Sequence, residues 1–422
     1  MSTSMKLPST RWTSFNGWDY NGMKERLQEA LEKVDKSVLI LHAERIKGQK
    51  VAMSQPFSAG QYWICFEMIA EDGSLIIARV YLPRHPDSPN TMCDEDKAYA
   101  IVCEATTMEF VKKRLPSIPI PSVYTYEGPK SQLAADAGAM YMLIEGFYGN
   151  TLQDVSSNIC DFPASDQEHI MAQWTRVQAE LATLAYPQIG SICSFSEDGE
   201  PIIGKLPAFA IGELSEAGPF SRAVDYFVAI ANAAIDRLKD SARLGAFVFR
   251  DILHKTDLFA DQGTNVRFPL NHMDLGAQNI LVNDRFDFIA IIDWEFAQTA
   301  PWQVNHFPMP FPLLTLDPEV ILQDPNHLAY KNILSQSKSQ SIYTRKFKEA
   351  EKTLDKEGRS LDGSFADTLN GSASRIYACF TQLGRVPLVD AELVRDMVQL
   401  AFGLVGDEVE GYLRDLERRM VL

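Results

Sequence analysis

The order of elements along the chain is the tightest constraint on its fold: strands dominate the first 150 or so residues, and helices dominate everything after about Thr151. Early on, "QYWICFEMIA" and "SLIIARVYLP" flank "EDG", a charged turn closing on Gly73, which is the signature of an antiparallel hairpin. A helix precedes it in "NGMKERLQEALEKV", with Met23, Leu27, Leu31 and Val34 at helical spacing behind Asn21 as cap. A second helix, 94–115, carries Ile101, Ala105 and Met108 on one side and is stopped by Pro116, Pro119 and Pro121. Strands in "SVYTYEG" and "AMYMLIEGF" follow. Beyond residue 151 the helical segments are 166–185, 221–238, 341–356, 365–383 and 391–418, and the strand pair "NILVND" and "FIAIID" is set among them. Such segregation predicts an α+β, bilobal architecture. Residues 1–150 would form a small antiparallel-sheet lobe and residues 151–422 a larger helical lobe, with a cleft between them.

Composition narrows the partners. The 56 acidic residues against 40 basic give a formal charge of −16, which repels nucleic acid and anionic membrane surfaces. The densest basic stretch, 344–359, is interleaved with glutamate and reads as a solvated helix face. The six cysteines show no CxxC pair and read as reduced thiols. No run of about 18 apolar residues occurs, and the start of the chain has no secretory core. A soluble, cytoplasmic protein without nucleic-acid or membrane partners is expected.

Chemistry concentrates in "NHMDLGAQNILVNDRFDFIAIIDWE". Asp274 is followed five positions later by Asn279, and Asp293 ends the second strand of the ribbon. Two carboxylates and an amide at one end of a ribbon suit phosphoryl transfer, which needs a group to orient the acceptor hydroxyl and hard oxygen ligands for Mg²⁺. Each residue also has an ordinary reading: Asp-x4-Asn is a common turn, Asp293 could cap a helix, and His272 could be a structural histidine.

The stretch resembles the HxDxxxxN loop and metal-binding aspartate of the protein-kinase-like superfamily. It is closer to the aminoglycoside phosphotransferase and choline kinase group, which typically carries "HGD" and "IDWE" where this chain has "HMD" and "IDWE". The blocks "CEATTMEFVKKRLPSIPIPSVYTYE", "QIGSI", "DGEPIIGKL", "FPLNHMDLGAQNILVND" and "IIDWEFAQTAPW" look like those of uncharacterised phosphotransferase-like proteins of filamentous fungi, so the resemblance spans roughly Gly60 to Trp302. It implies a protein-kinase-like fold with Asp274 as catalytic base, His272 bracing the loop, and Asn279 and Asp293 holding the metal. Arg79 would take the phosphate-binding place where kinases usually have lysine, with Glu104 as its partner. ATP and Mg²⁺ are the implied cofactors. Backbone groups from Glu145 to Phe147 would bind adenine, and Gly60, the sole glycine in "SAGQYWICFE", would stand where a glycine-rich loop covers phosphate. The chain departs from the pattern in lacking GxGxxG and in Met273, where glycine or proline is usual.

The implied activity is ATP- and Mg²⁺-dependent O-phosphorylation of a small hydroxyl-bearing metabolite or antibiotic, cationic acceptors included. Glu295, Asp317, Glu319, Asp407, Glu408 and Glu410 are the acids that could pair with a cationic acceptor. A catalytically weak pseudokinase or nucleotide-binding scaffold is the alternative. Protein substrates fit less well, because neither a DFG nor an APE sequence follows Asp293.

Overall fold

The computed structural model describes residues 23–83, 92–156, 158–207, 214, 217–261, 263, 265–309, 311 and 318–420. It is an α+β protein with an antiparallel sheet in its N-terminal region and a helical C-terminal part. Two compact units make up the chain, and neither is contiguous. The first gathers Met1–Val155, Ile192–Ile202 and Ala277–Phe296; the second gathers Ser156–Ser191, Ile203–Gly276 and Ala297–Leu422.

In chain order the elements begin with α1 (Met23–Lys33), α2 (Lys36–Lys47), β1 (Val51–Ala59), β2 (Trp63–Ala70), β3 (Leu75–Tyr81), α3 (Asp94–Arg114), β4 (Val123–Glu127), α4 (Gln132–Ala137), β5 (Tyr141–Glu145), β6 (Asn150–Thr151) and α5 (Leu152–Val155). Then come α6 (Ala164–Ala182), β7 (Ala185–Tyr186), β8 (Ser191–Phe195), β9 (Pro201–Gly204), α7 (Ala223–Arg237), α8 (Asp240–Lys255), β10 (Phe268–Asn271), β11 (Ile280–Val282), β12 (Phe288–Ile291) and β13 (Gln298–Thr299). Six helices finish the chain: α9 (Pro318–Leu322), α10 (Tyr330–Lys356), α11 (Phe365–Asn370), α12 (Ser372–Gln382), α13 (Asp390–Phe402) and α14 (Asp407–Met420).

In the first unit the five-stranded sheet runs β1-β2-β3-β5-β4 with antiparallel neighbours throughout. The β2–β3 turn closes as its residues dictate: Gly73 takes φ +79°, a left-handed conformation that costs a glycine nothing, and the Ala70 N–H donates to Ser74 O at 3.0 Å. That turn sets the register from Ile69 opposite Leu75 to Trp63 opposite Tyr81. One face of the sheet buries Ile64, Phe66, Met68, Ile76, Ala78 and Val80 beneath α2 residues such as Leu39 and Ala43. Helix α3 opens on Asp94, Glu95 and Asp96 and closes on Lys112, Lys113 and Arg114, charges that match its macrodipole at both ends. A separate ribbon, ordered β12-β11-β6, completes this unit. In the second unit α7, α8, α12 and α13 surround a continuous apolar cluster rich in phenylalanine.

Several elements differ from expectation. Helices α2 and α8 and strand β1 have no counterpart in the sequence reading. The helix predicted over 365–383 is broken at Gly371, and that over 391–418 at Gly403, which takes φ +69° and caps α13. Asn21, the expected cap of α1, lies outside the described residues. No described helix is long and apolar enough to cross a membrane.

Candidate functional site

The site grows out of the β2–β3 hairpin. Directly opposed residues of an antiparallel pair share a face, so Trp63 and Cys65 on β2 stand on the same side as Tyr81 and Arg79 on β3. The Arg79 guanidinium lies over the Trp63 ring, 4.7 Å from its centre, and Trp63 in turn meets Tyr81 edge-on with centroids 5.4 Å apart. From α3, the Glu104 carboxylate accepts a hydrogen bond from Arg79 Nη1. From the end of β12, Asp293 Oδ1 accepts from Arg79 Nη2 at 2.9 Å. One guanidinium thus joins a helix, a sheet and a ribbon.

The ribbon is held in register by its own backbone. Ile280 pairs with Ile291, the Ile292 N–H donates to Asn279 O at 3.0 Å, and the Ile291 N–H donates to Pro119 O at 2.8 Å. Asn279 and Asp293 therefore emerge at the same ribbon end. Past β12 the chain turns at Asp293 itself, which takes φ +66°. For a residue with a side chain that conformation costs about 1–2 kcal/mol, and such strain concentrates at sites where it serves a ligand or reaction. The next residue is held on both sides: the Trp294 backbone N–H donates to Glu104, and the Trp294 indole donates to Ile291 O at 2.9 Å.

Burial grades the cluster. Side-chain exposure is 1% for Glu104, 8% for Arg79 and 33% for Asp293, so the ion-pair chain runs from a dry carboxylate to one that solutes reach. A further carboxyl completes it: Glu295, buried, accepts from the Trp63 indole N–H at 2.9 Å. One guanidinium faces three carboxyl groups. Burial opposes the charge on Arg79, but Glu104, Asp293 and Glu295 outweigh it and push the guanidinium pKa up. Burial also raises Glu104, against the pull of Arg79, and raises Glu295 well above the usual carboxylate range, reinforced by Asp293 and Glu104. Desolvation pushes the Cys65 thiol up to about 12, so it is no nucleophile.

The remaining sequence-derived residues are distributed as follows. His272 and Asp274 follow β10 in the second unit, with His272 buried and Asp274 half-buried. The loop is shaped locally: Asn271 Oδ1 accepts from the Met273 N–H at 3.0 Å, and the Gly276 N–H donates to Asp274 O at 2.9 Å. Met273 takes φ +64° and packs against the second unit's apolar cluster. A glycine would take that φ without strain, whereas methionine takes it with its side chain packed inward. In the first unit, the Gly60 N–H donates to Trp63 O at 2.8 Å across the β1–β2 turn. Glu145 ends β5, opposite Ile76, about 10 Å along the strand from Arg79. Its carboxylate is bound by the Ser122 N–H and hydroxyl and by Lys112 Nζ. Its own N–H donates to Ser122 O and that of Gly146 to Leu75 O, so these two donors of the 145–147 stretch belong to the sheet; the Phe147 carbonyl accepts from Gly149.

Within the first unit, then, Arg79, Glu104 and Asp293 are in direct contact and Asn279 shares the ribbon end, while Gly60 and Glu145 stand apart along the same sheet. Sequence reasoning missed Trp63. Its signal was the hairpin register, which puts it diagonal to Arg79 on one face. Among the acids named for a cationic acceptor, Glu295 accepts from the Trp63 indole, Glu410 pairs with Arg395 at 2.8 Å, and Glu408 accepts from the Val405 N–H ahead of α14. Asp317 and the Glu319 side chain lie outside the described residues.

As for a cation, Asn279 and Asp293 offer an amide and a carboxylate oxygen, the hard donors that Mg²⁺ prefers. No group of three or more His, Cys, Asp or Glu with metal-binding spacing occurs among the described residues, so an ion here would draw further oxygens from water and substrate.

No protein-family model matches the chain, and no curated protein matches its sequence. Among solved structures, a protein assigned as a fructosamine-3-kinase from Thermobifida fusca is similar at 14% identity and a TM-score of 0.45, over 86% of this chain and 96% of that one. A type I macrolide 2'-phosphotransferase follows at 13% identity and 0.44, over 88% and 97%. An amicoumacin kinase in complex with AMP-PNP and Ca²⁺ follows at 11% and 0.41, over 93% and 94%.

Proposed function

We propose that the protein is an ATP-dependent phosphotransferase that phosphorylates a hydroxyl group of a small molecule, with Mg²⁺ as the metal. The observation that carries this reading is Arg79 joined at once to Glu104 and Asp293. A buried ion cluster is weak evidence for stability, because desolvation cancels most of the Coulomb gain. Its presence is better explained by a ligand, and an arginine flanked by metal-seeking oxygens matches a nucleotide's phosphates.

On this reading Arg79 binds the nucleotide phosphates and Glu104 fixes its orientation. Asn279 and Asp293 hold the metal, which when bound neutralises charge on the phosphate oxygens. Asp274 orients the acceptor hydroxyl and takes its proton as the new bond from acceptor oxygen to the γ-phosphorus forms. The bond from that phosphorus to the β–γ bridging oxygen breaks, and ADP leaves. Gly60 leaves room at the β1–β2 turn for a phosphate, and the strip of sheet from there to Glu145 accommodates the rest of the nucleotide. The acidic balance of the chain favours cationic acceptors such as amino alcohols and aminoglycosides.

The test has two stages. Purified protein should bind Mg²⁺–ATP and consume it when offered an acceptor from a panel of amino alcohols, aminoglycosides and hydroxylated metabolites. The Asp274→Asn variant should bind the nucleotide but not turn it over. Binding with no turnover by the wild type against every acceptor favours the scaffold reading, and absence of nucleotide binding sinks both.

A further inference from the structure

We infer that Trp63 is the positioning residue of Arg79: the indole ring is the seat over which the phosphate-binding guanidinium is held. The inference rests on the nucleotide reading and assigns a role that no motif in the sequence marks. Both Nη atoms of Arg79 are engaged by carboxylates, and neither contact fixes the plane of the guanidinium about the line joining them. The ring of Trp63, 4.7 Å away, supplies that constraint.

Trp63 is itself held in place. Its indole N–H is bound to Glu295 at 2.9 Å, its ring packs edge-on against Tyr81, and it is almost wholly buried. Glu295 lies two residues beyond Asp293, so the ribbon end that brings one carboxylate to Arg79 also anchors the ring beneath it. The arrangement accounts for arginine at this position. A guanidinium can hold its central carbon over an aromatic ring while its two Nη atoms serve two acids, whereas an ammonium gathers its donors at a single point. A phosphate oxygen that takes over Nη2 from Asp293 leaves the ring contact and the Glu104 contact intact, so Arg79 changes partner without losing its orientation.

A double-mutant cycle read by binding of Mg²⁺–AMP-PNP tests this. Trp63→Leu should weaken nucleotide affinity about tenfold in the wild-type background, the scale of a desolvated cation–aromatic contact. In the Arg79→Met background the same change should cost less than about twofold, because nothing remains to be seated. Trp63→Phe keeps a ring face and loses the N–H, so it should stay within about threefold of wild type. Equal losses in both backgrounds, no loss in the wild-type background, or Trp63→Phe as damaging as Trp63→Leu would each overturn the inference. Thermal unfolding of each variant separates lost seating from lost fold. If Trp63→Leu does not fold, Trp63→Phe in the two backgrounds carries the test: a small loss confined to the Arg79 background supports the seat, and equal losses overturn it. A wild type that binds no Mg²⁺–AMP-PNP overturns instead the phosphotransferase reading itself.

Discussion

The two units differ in the most conspicuous group each one buries. At the centre of the second, Phe249 stacks on Phe380 with centroids 4.2 Å apart, and Phe227 meets Phe259 edge-on at 4.7 Å, with Tyr377 alongside. In the first, beside an ordinary apolar layer, Arg79, Glu104 and Glu295 are all withdrawn from water. Aromatic packing stabilises by area and dispersion, and its loss is felt as stability. The ionic cluster gains little net free energy from being buried, so its loss should be felt chiefly as function. That contrast marks the first unit's buried ion cluster as a group whose loss should be read in function, and the second unit's aromatic centre as one whose loss should be read in stability.

Variants can break or sharpen the contrast. The largest effect belongs to the proposed proton acceptor: Asp274→Ala should lower turnover by about a thousandfold or more while unfolding temperature and nucleotide affinity stay near wild type. Steady-state kinetics beside calorimetry check it, and near-normal turnover would remove Asp274 from the mechanism. Phe249→Ala should cost about 3–5 kcal/mol of unfolding free energy through cavity formation, measured by urea titration. Glu104→Leu should cost about 3 kcal/mol because it strips a buried guanidinium of its closest partner. Combined with Arg79→Met, most of that stability should return while nucleotide binding stays weak; a double variant as unstable as the single would show that the cluster holds the fold after all. On the surface, Arg345 pairs with Glu168 and Glu349 at 2.9 and 3.1 Å while its side chain is 47% exposed, and Arg345→Ala should change stability by less than about 1 kcal/mol.

The smallest effect is one of pH in the first unit. His42 Nδ1 lies 2.7 Å from the Tyr141 hydroxyl, and burial lowers its pKa below 6.5, against the pull of Glu127. A base whose folded pKa is depressed disfavours protonation of the fold, so its contribution is whole above pH 6.5 and is lost as pH falls toward the folded value. Urea midpoints of wild type should fall between pH 7.5 and pH 5.5 more than those of His42→Gln; parallel curves would exclude His42 as the source.

Much of this was legible in the sequence, and the failures have causes. The β2–β3 hairpin, α3 with its proline stop and the 280–291 ribbon announce themselves because turn chemistry and periodicity agree there. Helix α2 escaped because Val38, Ile40 and Ile46 give it a strand-like look, and only the Asp35 cap and left-handed Gly48 decide for helix. Strand β1 escaped because Pro56 and two register shifts interrupt its alternation. The contact of Arg79 with Glu104 follows from placing one on the hairpin and the other on the buried face of α3. Trp63 could not be found residue by residue, since its meaning lies in a diagonal across two strands. Glu295 was singled out beside Asp293, but its indole partner lies 232 residues earlier in the chain, a contact no local reading reaches.

Gly60 has an ordinary φ, and a methyl group built on it meets nothing within 4 Å. Folding therefore has no stake in a glycine there. A saturation library at this position, sorted for abundance, should come out nearly flat. Sorted for capture of a nucleotide on an affinity resin, the same library should retain glycine and lose bulk, and the mismatch between the two maps would mark where a phosphate presses against the backbone.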